Sequence, residues 1–272
     1  MNNKLKLLLQ LSDDYTGLPP ATLQALLMPE IAAHPDAGSS SVQLQLNADA
    51  NGLSLQDASS PKTAATRVDF LDAALQYRLR TSGKRQGLGK AIGLDKAASG
   101  QQVFVVDATA GLGRDALVLA HLGCRVLLLE QSPLMHALLA DGFRRGSSTA
   151  TPEFAKVLAR MQLLQVDARQ WLETVACGEH ERPDVVYLDP MFPPRDKQAK
   201  VKKDIALVHQ LLGSEQDLGS LLHSALKVAH YRVVLKRPDG KLPPDLPAPT
   251  LWIGEKPATF AVYVNNSFSS TR

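Results

Sequence analysis

The sequence predicts an α/β protein whose main part is a doubly wound, seven-stranded sheet, preceded by a small N-terminal α+β extension. Three observations predict this fold class. Short continuous apolar runs are typical of strands buried on both faces, segments of helical spacing lie between them, and an acidic residue ends several of the runs. This alternation favours a mainly parallel sheet, which binds ligands at the carboxyl ends of its strands.

Seven strands are predicted after residue 100. They are expected at 103–107, 125–130, 161–166, 184–189, 231–236, 250–254 and 260–265. Helices are expected near 114–122, 133–145, 169–177, 203–212 and 217–229. Only Glu255–Ala258 separates the final two strands, which is too short for a helix. We therefore expect these strands to form a hairpin, so that the last strand is antiparallel.

The first part of the chain has a different pattern. Alternating apolar residues at 42–46 and 53–55, separated by Asn47–Gly52, predict a hairpin with one buried face. Ala58–Lys62 is predicted to be a linker, and Val68–Leu79 has the spacing of a helix. The chain is therefore expected to divide near residue 95.

Composition favours an intracellular globular protein. The chain has 272 residues, 44% of them hydrophobic and 21% charged, which is enough apolar content for a sizeable core. Cys124 and Cys177 form no disulfide framework or metal-ligand spacing. The apolar run in Met1–Gln10 is too short for a secretory signal, and no run approaches a membrane span. We expect a cytoplasmic protein without metal or membrane; the net charge of +3 alone does not indicate a nucleic-acid partner.

The most informative segment is a strand that ends in a glycine turn. The apolar run Val103–Val106 leads to Asp107, and Gly111 and Gly113 then let a ligand approach the backbone closely. A second buried strand ends at Glu130, roughly 20 residues further on, where a nucleotide ribose is expected. The turn lacks the third glycine of the dinucleotide fingerprint, so alone it also fits a tight strand-to-helix turn in another α/β protein.

A third buried strand ends in Leu188–Phe192, with the sequence Leu-Asp-Pro-Met-Phe. An acid can accept hydrogens from an amine, and an aromatic ring can stack on a planar ring. This segment therefore predicts a planar, amine-bearing substrate at the carboxyl edge of the sheet.

With these segments the chain resembles the Rossmann-like methyltransferases that use S-adenosylmethionine, and among them the bacterial small-subunit ribosomal RNA guanine-N2 methyltransferases of the J type. The resemblance covers roughly residues 67–265. It rests on four blocks: Val106–Ala116, Gly123–Val126, Val185–Pro193 and Val234–Pro238. It implies methylation of the exocyclic N2 amine of a guanine in 16S ribosomal RNA. It also implies a methyltransferase domain over 96–272, after an extension over 1–95 with a hairpin and a basic helix.

The resemblance and the position of the sheet edge imply a set of cofactor contacts. These residues are Asp107, Gly111, Gly113, Arg114, Asp115, Glu130, Gln131, Asp167, Ala168 and Asp189. The two glycines would admit the methionine and ribose portion, and Glu130 would accept both ribose hydroxyls. Asp107, Arg114 and Asp115 carry charges that match the amino and carboxylate groups of the cofactor.

Two cofactor assignments depart from the family or have a structural alternative. Gln131 and the Asp167–Ala168 pair stand where the family has a basic residue and a serine pair, although both are still expected near the adenine. Asp167 equally fits the N-cap of the following helix. Asp115 and Arg114 could instead serve in helix capping and a surface ion pair.

The expected catalytic residues are Asp189, Pro190 and Phe192. Asp189 and the carbonyl of Pro190 would accept hydrogen bonds from the guanine amine, a poor nucleophile, and so favour the transition state. The proton then leaves to Asp189 or to water. Phe192 would stack on the base, and its structural alternative is a core aromatic. Met191 replaces the second proline of the commoner Asp-Pro-Pro-Tyr motif.

Basic residues cluster in two segments and at one strand end, which favours an RNA partner. The candidates are Arg78, Arg80, Lys84, Arg85, Arg195, Lys197, Lys200, Lys202, Lys203, Lys236 and Arg237. Phosphates that flank a target base need such charges, and a base in structured RNA must be flipped or unpaired to react. Each segment alone also fits a solvated surface.

Two other functions remain open at the level of sequence. One is methylation of another amine, in DNA, in protein or in a small molecule, and the basic segments argue mildly against the last. The other is a nicotinamide-dependent oxidoreductase, which would use the glycine turn and Glu130 but leaves Leu188–Phe192 unexplained.

Overall fold

The computed structural model describes residues 6–25, 43–58, 65–149, 151–190, 217–237, 240–254 and 259–268. They belong to two compact units. One contains the described parts of residues 1–69 and 132–149; the other contains those of 70–131, 150–190 and 217–272. The domain boundary expected near residue 95 stays a prediction.

The described elements follow the chain in this order: β1 Lys6–Leu11, β2 Gln43–Asp49, β3 Gly52–Asp57, α1 Ala73–Thr81, α2 Gly87–Ile92, β4 Phe104–Asp107, α3 Arg114–His121, β5 Arg125–Glu130, α4 Pro133–Thr149, α5 Pro152–Leu158, β6 Met161–Gln165, α6 Ala168–Ala176, β7 Val185–Leu188, α7 Leu218–Val228, β8 Arg232–Lys236, β9 Leu251–Ile253 and β10 Phe260–Val264. The helix expected near 203–212, nearly all of the linker at 58–62 and the segment 255–258 lie outside the described residues.

The first unit contains a three-stranded sheet and α4. β2 and β3 form the expected antiparallel hairpin, but the strands extend further and only Ala50 and Asn51 separate them. Gly52, at φ 97, provides the left-handed conformation that this tight turn needs. The apolar run near the N-terminus, to which no element was assigned, forms β1 and pairs in parallel with β2.

A buried carboxylate joins α4 to the hairpin. Asp141 accepts the backbone N–H of Leu53 at 2.9 Å, and it pairs with Arg144 and Arg145 at 2.8 Å each. A side chain at Gly142 would place its Cβ 2.5 Å from Cγ1 of Val68. The glycine is therefore required for this close approach.

The second unit contains the seven-stranded sheet, in the order β6-β5-β4-β7-β8-β10-β9. β4, β5, β6, β7 and β8 are parallel, whereas β10 is antiparallel to both β8 and β9. The seven predicted strands and the antiparallel last strand are thus confirmed. β4 lies where the strand order reverses, which is the position that binds ligands in such sheets.

The apolar runs are strands because the core covers them. Every residue of β4 and of β7 is buried, and α6 and α7 add Trp171, Leu172 and Leu222 to the same core. β6, at the edge of the sheet, buries Met161 and leaves Gln162, Leu164 and Gln165 exposed.

The helices differ from the sequence expectation in four places, one of which is α4, which extends to Thr149 instead of ending near 145. α1 begins at Ala73 rather than near Val68, because the side chain of Asp72 caps it by accepting the N–H of Leu75. α5 was not predicted, although Thr151 caps it and Pro152 occupies its first turn, which is a typical start signal. α2 was also not predicted, since its two glycines disfavour a helix.

Among the described residues no helix is long and apolar enough to cross a membrane. In the same part of the chain no group of three or more His, Cys, Asp or Glu side chains could hold a metal ion. Cys124 is buried and Cys177 is exposed, and both are free thiols.

Candidate active site

The glycine turn lies between β4 and α3, at the carboxyl edge of the sheet. Gly111 and Gly113 have φ values of 52 and 68, which side chains with a Cβ rarely adopt. Gly113 is the N-cap of α3, and no side chain caps that end of the helix. The turn therefore presents backbone and the positive end of a helix, which suits an anionic group of a ligand.

Asp107, the last residue of β4, is a buried acid next to this turn. It is 2% exposed, and its Oδ1 accepts the N–H of Thr109 at 3.1 Å. Burial, together with the nearby carboxylates of Asp115 and Asp189, raises the pKa of Asp107 to about 8 against the effect of the Thr109 bond. Asp107 is thus mostly protonated at neutral pH and gains from a cationic partner.

Asp115, in the first turn of α3, is the centre of a polar network. Its Oδ1 accepts from Arg78 at 2.5 Å, and its Oδ2 accepts from the Tyr187 hydroxyl at 2.5 Å and from Lys236 Nζ at 2.8 Å. Burial raises the pKa of Asp115, but Lys236 and Arg78 outweigh it and hold this pKa at about 2. We call Asp115, Arg78, Tyr187, Lys236 and Asp189 the Asp115 network.

Asp189 follows β7 directly and is fixed at both its backbone and its side chain. Its N–H donates to Oγ1 of Thr109 at 2.6 Å, and its Oδ2 accepts from Lys236 Nζ at 2.7 Å. Burial raises the pKa of Asp189, Lys236 lowers it, and Asp115 raises it, so that it stays above its ordinary value. Its side chain is 31% exposed, so the carboxylate is accessible as well as held.

The strand register explains why these side chains meet. Leu188 of β7 pairs in parallel with Leu235 of β8, so the next residues, Asp189 and Lys236, lie side by side. Tyr187 lies two residues before Asp189 and therefore on the same face of the strand. Burial and the carboxylates of Asp115 and Asp189 raise the pKa of Tyr187 well above its ordinary value, so the phenol acts as a hydrogen-bond donor.

The residues predicted to contact the nucleoside lie on the next strands. Glu130 ends β5 and is half-buried, as is Gln131. Asp167 caps α6: its Oδ1 accepts the N–H groups of Arg169 at 2.8 Å and Gln170 at 3.1 Å. This is the N-cap alternative that the sequence allowed, and an additional contact to adenine stays a prediction.

The remaining residues predicted to bind the cofactor or to act in catalysis differ from one another in exposure and position. Ala168 is buried at the start of α6, and Arg114 is exposed at the start of α3, outside the Asp115 network. Pro190 is half-buried beside Asp189. Phe192 lies outside the described residues. Asp115 is buried within the network, which differs from the surface ion pair considered as its alternative.

The predicted RNA contacts fall into three groups. Arg80, Lys84 and Arg85 are exposed at the end of α1 and just after it, while the five cations from Arg195 to Lys203 lie outside the described residues. Three others have surroundings that the sequence did not indicate: Arg78 pairs with Asp115 although its side chain is 40% exposed, Lys236 pairs with Asp115 and Asp189, and Arg237 is 4% exposed. Their contact with RNA stays a prediction.

Sequence reasoning missed the parts of the site that act through hydrogen bonds. It assigned no role to Tyr187 or Thr109, and it placed Lys236 on the RNA surface. Tyr187 could have been found from the sequence, because it lies two residues before Asp189 and therefore on the same face of the strand. Lys236 ends a parallel strand next to that of Asp189, and this relation appears only once β7 and β8 are known to be neighbours.

Comparison with known proteins gives matches over most of the chain. The family model of SAM-dependent methyltransferases matches residues 33–265. The ribosomal RNA small subunit methyltransferase J of Thioalkalivibrio sulfidiphilus is 44% identical over 232 residues, 85% of this chain and 88% of that protein. The protein of the same name from Aeromonas salmonicida is 45% identical over 214 residues, 78% of this chain and 82% of that protein.

A solved structure supports the same relationship. The crystal structure of a SAM-dependent methyltransferase from Neisseria gonorrhoeae has a TM-score of 0.67 and 29% identity, and the match covers 97% of this chain and 99% of that one. These matches favour the methyltransferase over the nicotinamide-dependent oxidoreductase. The chain therefore belongs to the S-adenosylmethionine-dependent methyltransferases, in the family of the ribosomal RNA small subunit methyltransferases J.

Proposed function

We propose that this methyltransferase transfers the methyl group of S-adenosylmethionine to the exocyclic N2 amine of a guanine in small-subunit ribosomal RNA. The class of RNA follows from what the relatives are named for. The choice of an amine rests chiefly on one observation, the accessible carboxylate of Asp189, held in place beside the glycine turn.

The residues at the sheet edge fit this cofactor. The turn around Gly111 and Gly113 leaves room for a ligand against the backbone, and the uncapped start of α3 suits a carboxylate. Asp107 is a buried acid that suits an ammonium group, and Glu130 ends β5 at the distance along the chain expected for ribose recognition. The sulfonium of the bound cofactor supplies an electrophilic methyl group.

Asp189 is placed to assist the nucleophile. Lys236 occupies Oδ2, and no described residue donates to Oδ1, which leaves that oxygen to accept a hydrogen bond from the amine. The lone pair of a guanine N2 is delocalised into the ring, which makes this amine a poor nucleophile. Positive charge builds up on the nitrogen as its lone pair forms the bond to the methyl group. A fixed carboxylate stabilises that charge more in the transition state than in the ground state. The carbonyl of Pro190 is a second acceptor, and Asp189 or water receives the proton.

Exposed cations support RNA as the substrate. Arg80, Lys84 and Arg85 are exposed and lie on the segment that also carries Arg78, a member of the Asp115 network. Phosphate contacts at these side chains would bind RNA next to the reactive edge, whereas Asp189 would select the amine.

Methylation of ribosomal RNA from cells that lack the gene for this enzyme tests the proposal. Naked 16S RNA and assembled small subunits are incubated with S-adenosylmethionine, and their nucleosides are separated by mass spectrometry. We expect N2-methylguanosine with the wild-type enzyme. Asp189→Asn should abolish single-turnover methylation while cofactor affinity, measured by calorimetry, changes little.

The exposed Asp245 provides a matched control, since Asp245→Asn removes a carboxylate that is not a member of the Asp115 network. Its methylation rate should equal that of the wild type. A methyl group on a nucleoside other than guanosine would overturn the assignment of the target. Near-normal methylation by the Asp189→Asn variant would overturn the role of the carboxylate.

A further inference from the structure

We propose that Lys236 is a positioning residue for methyl transfer: it keeps the Asp189 carboxylate ionised and turned so that Oδ1 faces the substrate amine. This inference rests on the proposed function, because it concerns the carboxylate that accepts the amine. It gives Lys236 a place in the reaction site instead of on the RNA surface.

The geometry of Lys236 is that of a bridge between two carboxylates. Its Nζ donates to Asp189 Oδ2 at 2.7 Å and to Asp115 Oδ2 at 2.8 Å. Its side chain is only 22% exposed, and the parallel register of β7 and β8 sets it beside Asp189. A side chain that donates to two carboxylates, one of them buried, has one favoured position, so it restricts the rotation of the Asp189 carboxylate.

The charges around Asp189 make this ammonium important. The titratable groups that act on it come from five elements: Arg78 of α1, Asp107 of β4, Asp115 of α3, Tyr187 of β7 and Lys236 of β8. Only two of the five are cations, and Arg78 donates to the opposite oxygen of Asp115. Among the described residues, Lys236 is therefore the cation in direct contact with Asp189.

Removal of Lys236 would leave Asp189 among acids in a largely buried position. Burial already raises the pKa of Asp189, and Lys236 is the strongest influence that lowers it. Without the ammonium, this pKa must rise further and a larger fraction of Asp189 is protonated at neutral pH. A protonated Asp189 accepts the amine hydrogen poorly, so methylation should be slowed toward acidic pH and recover as the buffer is made more alkaline.

The same contacts argue against a phosphate role for Lys236. To bind a phosphate, its ammonium would have to leave two carboxylates, and Asp189 would lose the donor to its Oδ2, which is unfavourable in a partly buried site. Exposed cations such as Lys84 and Arg85 meet phosphate without this loss. The two classes of cation can be distinguished by experiment.

The test compares single-turnover methylation over a range of pH. Lys236→Met and Lys236→Gln remove the charge, Lys236→Arg keeps it, and Lys227→Met removes an exposed lysine on α7 as a matched control. In the two uncharged variants the acidic limb of the pH profile should move up by about one unit or more, which is about a tenfold loss at pH values below the limb. The limb should stay in place in Lys236→Arg and Lys227→Met.

Three further measurements separate positioning from loss of structure. Carbon-13 NMR of labelled aspartate in the ligand-free enzyme, assigned with Asp189→Asn, should show Asp189 titrating at higher pH in the uncharged variants. Affinity for RNA and its salt dependence should be unchanged in them, whereas a phosphate contact would lower both. Cofactor affinity should change less than the methylation rate, because Asp115 keeps Arg78 and Tyr187.

Each outcome decides between the alternatives. An unmoved acidic limb in either folded uncharged variant, or an unmoved Asp189 titration, overturns the inference. If Asp189→Asn still methylates, the proposed function of Asp189 fails, but the NMR titration still tests the contact with Lys236. If Lys236→Met does not fold, Lys236→Gln and the alkaline recovery of its activity carry the test.

Discussion

Asp107 gives the sharpest prediction, because its raised pKa links the stability of the protein to its function. The pKa rises from an ordinary value of 3.8 to about 8, chiefly through burial. Between these values the unfolded chain releases a proton that the folded protein keeps. Stability therefore falls as pH rises through this window, by about 1.4 kcal/mol per pH unit, and is not reduced further above about pH 8.

The substitution Asp107→Asn removes this penalty while it keeps the size of the side chain and an oxygen that can accept the N–H of Thr109. The difference between 3.8 and pH 7 corresponds to an upper limit of about 4 kcal/mol. We therefore expect the variant to be more stable than the wild type at pH 7, with a gain that increases from pH 5 to pH 8. Urea unfolding at several pH values measures it, with Asp245→Asn as the exposed control.

The same substitution should weaken cofactor binding. With a pKa of about 8, Asp107 is ionised in only about one molecule in ten at pH 7, so binding of a cation beside it must release close to one proton. Calorimetry in buffers of different ionisation enthalpy counts that proton, and its loss in Asp107→Asn assigns it to this residue. A stability gain that does not vary with pH, or equal proton release by both proteins, would refute the reasoning.

Three further predictions concern other parts of the molecule. Glu130→Ala should weaken cofactor affinity by about 1.5–3 kcal/mol per lost charge-assisted hydrogen bond, measured by calorimetry, without a change in fold; unchanged affinity would remove Glu130 from the site. Replacement of Lys84 and Arg85 by Ala should reduce the slope of log RNA affinity against log salt by about 0.7–0.9 per lost phosphate contact; an unaltered slope would make them ordinary surface cations. Asp141→Asn should lower the free energy of unfolding by about 2 kcal/mol at pH 7. Burial raises the pKa of Asp141, but Arg145 and Arg144 outweigh burial and lower this pKa overall. The contribution of Asp141 to stability is therefore fully present above the unfolded pKa, and the two proteins should become equally stable as pH falls through the folded pKa. A stability difference that stays constant in acid would contradict this.

The order of the elements could be predicted from sequence because each strand of the main sheet is covered by core. β5 begins and ends at the predicted residues, and the other six strands differ from the expected bounds by one residue at one or both ends. The pattern of apolar residues predicted these strands correctly because buried strands have short apolar runs that lie between helices in the sequence. β1 was missed because its partner lies more than thirty residues away along the chain, although Ser12–Asp14 provide a turn directly after its apolar run.

The candidate site was predictable only in part. Acids at the ends of strands are visible in the sequence, and Asp107 and Asp189 do lie at one edge. The partners of a charge are not visible, because they depend on which strands and helices become neighbours. Lys236 and Arg78 look like any surface cation in the sequence, yet the fold turns both toward Asp115.

The hydroxyl of Thr109 has a consequence for the order in which ligands bind. It lies within the glycine turn and accepts the backbone N–H of Asp189, so it fastens the start of the acceptor segment to the turn. A cofactor that restricts the motion of the turn therefore also restricts the motion of Asp189. The conformational entropy of both segments is then lost when the cofactor binds, before RNA binds. RNA should then bind more tightly to the enzyme that already holds S-adenosylhomocysteine, and Thr109→Val should reduce that cooperativity by loosening one segment from the other.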